Sequence, residues 1–423
     1  MNKTKETFII GFALFSLFFG AGNLILPPLL GFKGGTDWFL VSIGFALSGV
    51  VLPILAIWAH ARLQGTMYDF AKKVSPLFSL LYCLVVYLIS VSLPAPRTAS
   101  VTHEMAVEPF LGTHSLITSS VYFALVLLFA LNRSKVLDIL GKALTPMIIG
   151  ILLFIIGIGF YNNTGDMRLS QFDVPLISGL LEGYQTFDAI GGVVVGGVII
   201  ISLQLKGLYS FEEKKKLIAR AGILAGAGLL LIYTGLILTG ALYSDVFPGD
   251  ISRTELLTKM SLSSLGSYGT AFLSVLVALA CFTTAVGIIT GTADFMKSLL
   301  GNSQRAYTAT AVLACILGVL MGQLDVHYII DIALPALMFI YPVTIVLILL
   351  NVLPPAYASP IVFKLVTLTA LIFSIPHFIS SVGFADLAKP IETFLPLGTY
   401  YLGWLIPSIV MFIVSNLMKR PGT

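Results

Sequence analysis

The sequence predicts an all-α membrane protein of twelve transmembrane helices, built as a five-plus-five inverted repeat with the first and sixth helices broken and two further helices appended. Three observations lead there. Only 10% of the 423 residues are charged and 57% are hydrophobic, whereas a soluble domain carries about 25% charged residues. Apolar runs of spanning length recur from residue 8 to residue 417. The first and sixth of these runs are interrupted near mid-length by glycine next to a polar side chain.

A helix needs about 20 mostly apolar residues to cross a hydrocarbon core of about 30 Å. Twelve such stretches lie near 8–31, 38–61, 77–101, 116–132, 144–161, 176–204, 221–243, 267–291, 307–322, 329–351, 361–380 and 396–417. Barrel strands would be shorter and alternating, so helices are the form that satisfies the backbone in lipid. The chain reads as one transmembrane domain over 1–423, with repeats at about 8–161 and 176–351 and extra helices at about 361–417. Loops are short. The longest are the outer stretch from Ser244 to Gly266 and the basic stretch around Phe211-Glu212-Glu213-Lys214.

Positive residues test the count independently, because short cytoplasmic loops attract Lys and Arg. With the N-terminus inside, 18 of the 24 fall on the cytoplasmic side: Lys3, Lys5, Arg62, Lys72, Lys73, Arg133, Lys135, Lys142, Lys206, Lys214, Lys215, Lys216, Arg220, Lys297, Arg305, Lys364, Lys419 and Arg420. Lys33, Arg168, Arg253, Lys259 and Lys389 fall outside, and Arg97 lies within a span. Both termini are therefore expected in the cytoplasm. The net charge of +4 follows from this topology and gives no reason to expect nucleic acid as a partner. The first apolar stretch is too long for a signal-peptide core and lacks a clear cleavage site before Lys33, so it is read as the first helix.

Cys83, Cys281 and Cys315 each sit in an apolar span and read as buried free thiols. The five histidines have no partner at metal-ligand spacing, and the sequence contains no nucleophile elbow or phosphate-binding glycine loop. An enzyme is not expected.

Function must then reside in the helices and their interruptions. Gly20-Ala21-Gly22-Asn23 lies about twelve residues into the first span, and Asp188-Ala189-Ile190-Gly191-Gly192 about twelve residues into the sixth from the opposite side. Glycine leaves an unwound backbone open to a ligand. A half-helix beginning at midplane points its positive dipole end at an anion, while carbonyls ending the preceding half receive a cation. Close packing of helices is the plainer use of such glycines; Asn23, Pro27-Pro28 and the matching sixth-span break favour a binding site.

Ionisable groups inside spans are functional candidates by default. Asp188 adjoins the second break, where it serves as a helix cap or as a ligand for an ammonium or cation. Glu182 lies one and a half turns outward, as a gate or cap. Arg97 and Glu104 are two turns apart on roughly one face, after the helix-distorting Pro94-Ala95-Pro96, and read as a structural or gating network paired to other charges. In the eighth span, Thr283 and Thr284 either bond back to the preceding turn or, with the Ala280 carbonyl, offer three neutral oxygens to a hard cation. Asp331 and Tyr341-Pro342 are weaker candidates for an outer gate.

The segments Phe19-Gly20-Ala21-Gly22-Asn23-Leu24-Ile25, Pro96-Arg97-Thr98-Ala99 and Leu181-Glu182-Gly183-Tyr184-Gln185-Thr186-Phe187-Asp188-Ala189 resemble motifs of the bacterial branched-chain amino acid:cation symporter family (LIVCS, BrnQ). The resemblance covers nearly the whole chain, including the Asn132-Arg133-Ser134-Lys135 turn, and departs at Phe187, where members often carry Met. It implies a LeuT-type fold and, with it, a site. Ala21 and Gly22 would donate backbone N–H groups to a substrate carboxylate, with Asn23 a nearby Na⁺ ligand. A second Na⁺ would be held by the carbonyls of Ser16, Phe19 and Ala280 and the hydroxyls of Thr283 and Thr284.

The implied function is import of Leu, Ile or Val with Na⁺ by alternating access across a bacterial cell membrane. The substrate would lie among Ala21, Gly22, Asn23, Tyr184, Thr186, Phe187, Asp188, Ala189, Ile190 and Phe282, its side chain against Tyr184, Phe187, Ile190 and Phe282. Apolar pockets discriminate a methylene by only about 1–3 kcal/mol, so the three amino acids are expected to share the site. Coupling to H⁺ through Asp188 or Glu182, transport of another small neutral amino acid, or a passive channel are the alternatives. Beyond substrate, coupling ion and lipid, the sequence points to no obligate protein partner.

Overall fold

A computed structural model describes residues 3–132, 142, 144–162, 166–206 and 210–418. Each of the twelve apolar stretches contains helix, the last becoming α-helical only from Leu405. Among the described residues there is no strand, eight helices are long and apolar enough to cross a membrane, and three shorter apolar helices accompany them. Of the features read from the sequence, Arg133, Ser134, Lys135, Lys419 and Arg420 lie outside the described residues, as does the Lys206 side chain.

The first span is two helices, α1 (Lys3–Phe18) and α2 (Ala21–Gly34). They part at Phe19-Gly20, where Gly20 is extended at φ −119° and ψ −159°. Pro27 and Pro28 do not end α2 but sit inside it. The second span is α3 (Trp38–Ala46) and α4 (Leu52–Leu63), joined by a π-helical turn at Leu47–Val51, followed by the short α5 (Met67–Ala71). The third divides into α6 (Pro76–Ser92) and α7 (Pro94–Thr102), because Pro94 and Pro96 cannot donate to the preceding turn; Leu93 takes up the distortion at φ −121° and ψ −70°. A π turn at His103–Val107 and the single-turn α8 (Glu108–Leu111) complete it, before α9 (Ser115–Leu131) and α10 (Thr145–Asn162).

The sixth span is again two helices, α11 (Pro175–Tyr184) and α12 (Asp188–Lys206). Then come α13 (Phe211–Leu242), α14 (Arg253–Leu265), α15 (Ser267–Leu299), α16 (Gln304–Met321), α17 (Val326–Val352), α18 (Pro360–Ser381), α19 (Ala385–Phe394) and α20 (Leu405–Leu417). Two loops of the sequence reading prove helical. The basic stretch opens α13, with Ser210 and Glu213 forming a reciprocal capping box. The outer stretch contains α14, capped by the Ser252 side chain accepting from the Glu255 N–H.

Two apolar bodies make up most of the interior. One gathers α1, α2, α9, α10, α13 and α15 around residues such as Phe15, Phe19, Leu24 and Leu276; the other gathers α4, α6, α12, α17 and α18 around residues such as Val86, Leu337 and Phe363. Within the first body, α2 and α13 approach to backbone contact. A methyl group at Gly31 would lie 1.8 Å from the Ile237 carbonyl oxygen, and one at Gly240 would lie 2.0 Å from that of Pro28, so only glycine fits at these crossings. This contact fixes α2 behind its break. The residues of the first break belong to one body and those of the sixth to the other, leaving a polar seam between them.

Candidate functional site

The first break leaves the opening N–H groups of α2 without intrahelical partners, as at any helix N-terminus. Asn23, in that first turn, caps it: its Oδ1 accepts from the Gly20 N–H at 3.2 Å. The chain is therefore unwound only at Phe19-Gly20, and Ala21, Gly22 and Asn23 already belong to the second half-helix. Their N–H groups point the positive end of α2 into the protein.

In the sixth span the interruption lies at Gln185-Thr186-Phe187, one turn before the glycines that suggested it. Asp188 through Gly192 form the first turns of α12 instead. What breaks this helix is Phe187, which adopts the left-handed region at φ +64°. For a residue with a side chain that conformation costs about 1–2 kcal/mol. It is held because the ring is buried and because Thr186 turns the chain: its hydroxyl donates to the Gly183 carbonyl at 2.8 Å and accepts from the Asp188 N–H at 3.2 Å. Glycine at 192 serves packing, lying against Ala56 and Pro53 of α4.

The two breaks are joined through one carboxylate. Asp188 is 2% exposed, and its Oδ2 accepts from Asn23 Nδ2 at 2.6 Å and from the Tyr233 hydroxyl of α13 at 3.0 Å. Asn23 Nδ2 also approaches the Tyr233 hydroxyl directly. Asn23 thus spends its oxygen on Gly20 and its amide nitrogen on Asp188 and Tyr233. On the other side of Asp188, the Ala189 N–H donates to the Tyr341 hydroxyl at 3.4 Å, and Tyr341 stacks on Tyr184 with ring centroids 4.3 Å apart. Tyr341 therefore packs beside the sixth break, whereas Asp331 is exposed. Tyr233 and Gln185 were not singled out in the sequence. A lone tyrosine in an apolar span was the available signal for the first.

Arg97 is found between the breaks. Its guanidinium sits where a methyl group on Gly22 would be, 2.4 Å from Nη2, and its Nη1 donates to the Gln185 carbonyl at 2.9 Å. It also lies over the Phe187 ring, 5.3 Å from the centroid. The pairing of Arg97 with other charges does not occur: the side chain is 3% exposed and forms no ion pair among the described residues. Glu104 is not its neighbour either, since the π turn after α7 redirects that face; Glu104 accepts from the Val326 N–H at 3.2 Å, at the start of α17. Glu182 is paired, with Arg253 of α14 at 3.1 Å, and accepts from Gln185 Nε2 at 3.0 Å. Both partners are partly buried.

A second cluster joins α1 to α15. The Thr283 hydroxyl donates to the Ser16 carbonyl at 2.7 Å and to the Ala280 carbonyl at 2.9 Å. The Thr284 hydroxyl donates to the Leu17 carbonyl at 3.3 Å. Gly20 packs on Thr284 so closely that a methyl there would meet Thr284 Oγ1 at 2.6 Å. Five oxygens thus cluster at the end of α1, and hard cations take such neutral oxygen ligands. Phe282 does not join the substrate side. Lying on another face of α15 from Ala280 and Thr283, it packs edge-on against Phe129 and Tyr122 of α9, at 5.0 and 6.2 Å between centroids. Cys83, Cys281 and Cys315 are buried free thiols.

Comparison with known proteins places this architecture. A family model described as branched-chain amino acid transport protein matches residues 3–421. The branched-chain amino acid transport system 2 carrier protein of Pseudomonas aeruginosa is 32% identical, over 99% of this chain and 97% of that one. The branched-chain amino acid permease BrnQ of Bacillus subtilis is also 32% identical, over 97% and 96%. Among solved structures, a substrate-bound, outward-open Na⁺-coupled sialic acid symporter superposes with a TM-score of 0.65 at 12% identity, covering 98% of this chain and 90% of that one. MhsT in complex with L-phenylalanine gives 0.58 at 16% identity, covering 96% and 97%. At such identities these structures show the fold alone, which is that of LeuT-type transporters. The family model and the carriers agree over nearly the full length, and on that ground this chain belongs to the branched-chain amino acid transport protein family, whose members are membrane carriers and not enzymes.

Proposed function

We propose that this protein imports Leu, Ile or Val together with Na⁺ by alternating access across a bacterial cell membrane, with twelve spans in two inverted repeats plus two helices and both termini in the cytoplasm. The observation that carries the coupling is the oxygen cluster of Ser16, Leu17, Ala280, Thr283 and Thr284, which bridges the first break to α15. A hydroxyl that now donates to a carbonyl can rotate to offer lone pairs to Na⁺. The cation then ties α1 to α15 at the hinge beside the substrate.

Substrate binding fits the seam. Ala21 and Gly22 offer their N–H groups at the start of α2, where a carboxylate is favoured. Asp188, with the carbonyls around the sixth break, faces the ammonium, and buried Tyr184, Phe187 and Ile190 stand beside it as the apolar wall. The relatives named above are carriers of branched-chain amino acids, which suits such a wall. Coupling to H⁺ is the second reading, favoured by the burial of Asp188 among neutral donors. Protein reconstituted in liposomes separates the two. Leucine accumulation driven by an inward Na⁺ gradient, and lost in Thr283→Ala combined with Thr284→Ala, is the expected result. Uptake indifferent to Na⁺ but driven by a pH gradient, and abolished in Asp188→Asn, would overturn Na⁺ coupling.

A further inference from the structure

We infer that Arg97 binds the substrate carboxylate directly and is the residue by which the carrier selects amino acids over the corresponding amines and alcohols. The inference deepens the proposed function and rests on its assignment of an amino acid to the seam.

Three features of the structure converge on it. The guanidinium is 3% exposed, has one donated hydrogen bond, to the Gln185 carbonyl, and has a buried Nε without a partner. A buried guanidinium so poorly satisfied calls for an anion. Asp188, the carboxylate of the seam, is engaged by Asn23 and Tyr233 and forms no ion pair with Arg97. Second, the guanidinium lies against Gly22, at the opening N–H groups of α2; the absence of a side chain there is what admits it. A fixed positive charge and a helix N-terminus therefore lie side by side, and each favours a carboxylate. Third, Arg97 rests on Gln185 and Phe187, the unwound residues of the opposite break. A bound carboxylate would be gripped between the two broken helices.

The planar fork of arginine suits two carboxylate oxygens at once, in a way that the point charge of lysine does not. Asp188, held by Asn23 and Tyr233 rather than by Arg97, is left to face the ammonium end of the zwitterion.

The test uses the full-length protein in detergent, titrated with leucine and with leucinol, in which a hydroxymethyl group replaces the carboxylate, and read by ligand-induced thermal stabilisation. The wild type is expected to bind leucine on the order of 100-fold tighter than leucinol. Arg97→Ala is expected to bring leucine down into the leucinol range while leaving leucinol within about threefold of its wild-type affinity. Should Arg97→Ala fail to fold, Arg97→Lys carries the test: charge is kept and the fork lost, so the leucine-to-leucinol ratio falls by about tenfold. A ratio unchanged in both variants, or a loss shared equally by the two ligands, overturns the assignment of Arg97 alone. A wild-type protein stabilised by no branched-chain amino acid overturns the substrate reading itself, and this inference with it.

Discussion

Asp188 is where the two broken helices are tied together, and its replacement has a calculable effect. The carboxylate accepts from Asn23 at 2.6 Å and from Tyr233 at 3.0 Å, with all three side chains buried. Hydrogen bonds to a charged group contribute about 1.5–3 kcal/mol each, and leaving a buried donor unpaired costs about 1–3 kcal/mol. Asp188→Ala strands two buried donors and should lose about 2–6 kcal/mol of stability, read as a fall in the thermal midpoint. Asp188→Asn keeps one acceptor oxygen and should lose about 1–2 kcal/mol. Tyr233→Phe removes one donor while keeping the ring that stacks on Phe19 and meets Phe45 edge-on. In a double-mutant cycle on thermal stability, Asp188→Asn and Tyr233→Phe should couple by about 1 kcal/mol. Additivity within about 0.3 kcal/mol would show that the hydroxyl and carboxylate do not act together, and would refute the bridge.

Other positions extend the same reasoning. Gly20→Ala sets a methyl 2.6 Å from Thr284 Oγ1, so the Na⁺ concentration for half-maximal leucine uptake should rise by about tenfold or more, read from uptake at varied Na⁺. Glu182→Gln breaks the ion pair with Arg253; because both side chains are partly hydrated, the loss in thermal stability should be about 0.5–1 kcal/mol, and Glu182→Arg with Arg253→Glu should restore it. Phe282→Leu, on the α9-facing side of α15, should leave leucine affinity within about threefold.

The architecture was legible in the sequence to different depths. Helix signals are summed over some 20 residues of composition, so the all-helical class was legible, and Gly20 marked the first break to within a residue or two. The sixth break was displaced by a turn because Asp188-Ala189-Ile190-Gly191-Gly192 looks like an interruption, whereas the conformation that makes it is the positive φ of Phe187, a residue type that carries no such signal. The 244–266 stretch reads as loop because its helix α14 is polar. Spacing placed Thr283 and Ala280 on one face correctly, and the same geometry argues against Phe282 as a pocket residue.

Side-chain partners were less accessible. Arg97 and Glu104 share a face of an ideal helix, but the π turn at His103–Val107 separates them, and Arg97 turns to the breaks instead. That Tyr233 and Tyr341 come to Asp188 depends on helices 45 and more residues away in sequence, which one chain read alone does not bring together. That Thr284 meets the Leu17 carbonyl likewise depends on how α1 and α15 pack, which one chain read alone does not show.

The claim that Na⁺ binds at the end of α1 and drives the substrate is tested most directly by opposing gradients. Liposomes loaded with leucine are placed in medium of varied Na⁺ at zero membrane potential, and the direction of net leucine flux is recorded. If one Na⁺ moves with each leucine, flux reverses where a tenfold leucine gradient meets an opposing Na⁺ gradient of about tenfold, each equivalent to about 1.4 kcal/mol. A reversal point that does not move with the Na⁺ gradient would contradict the account.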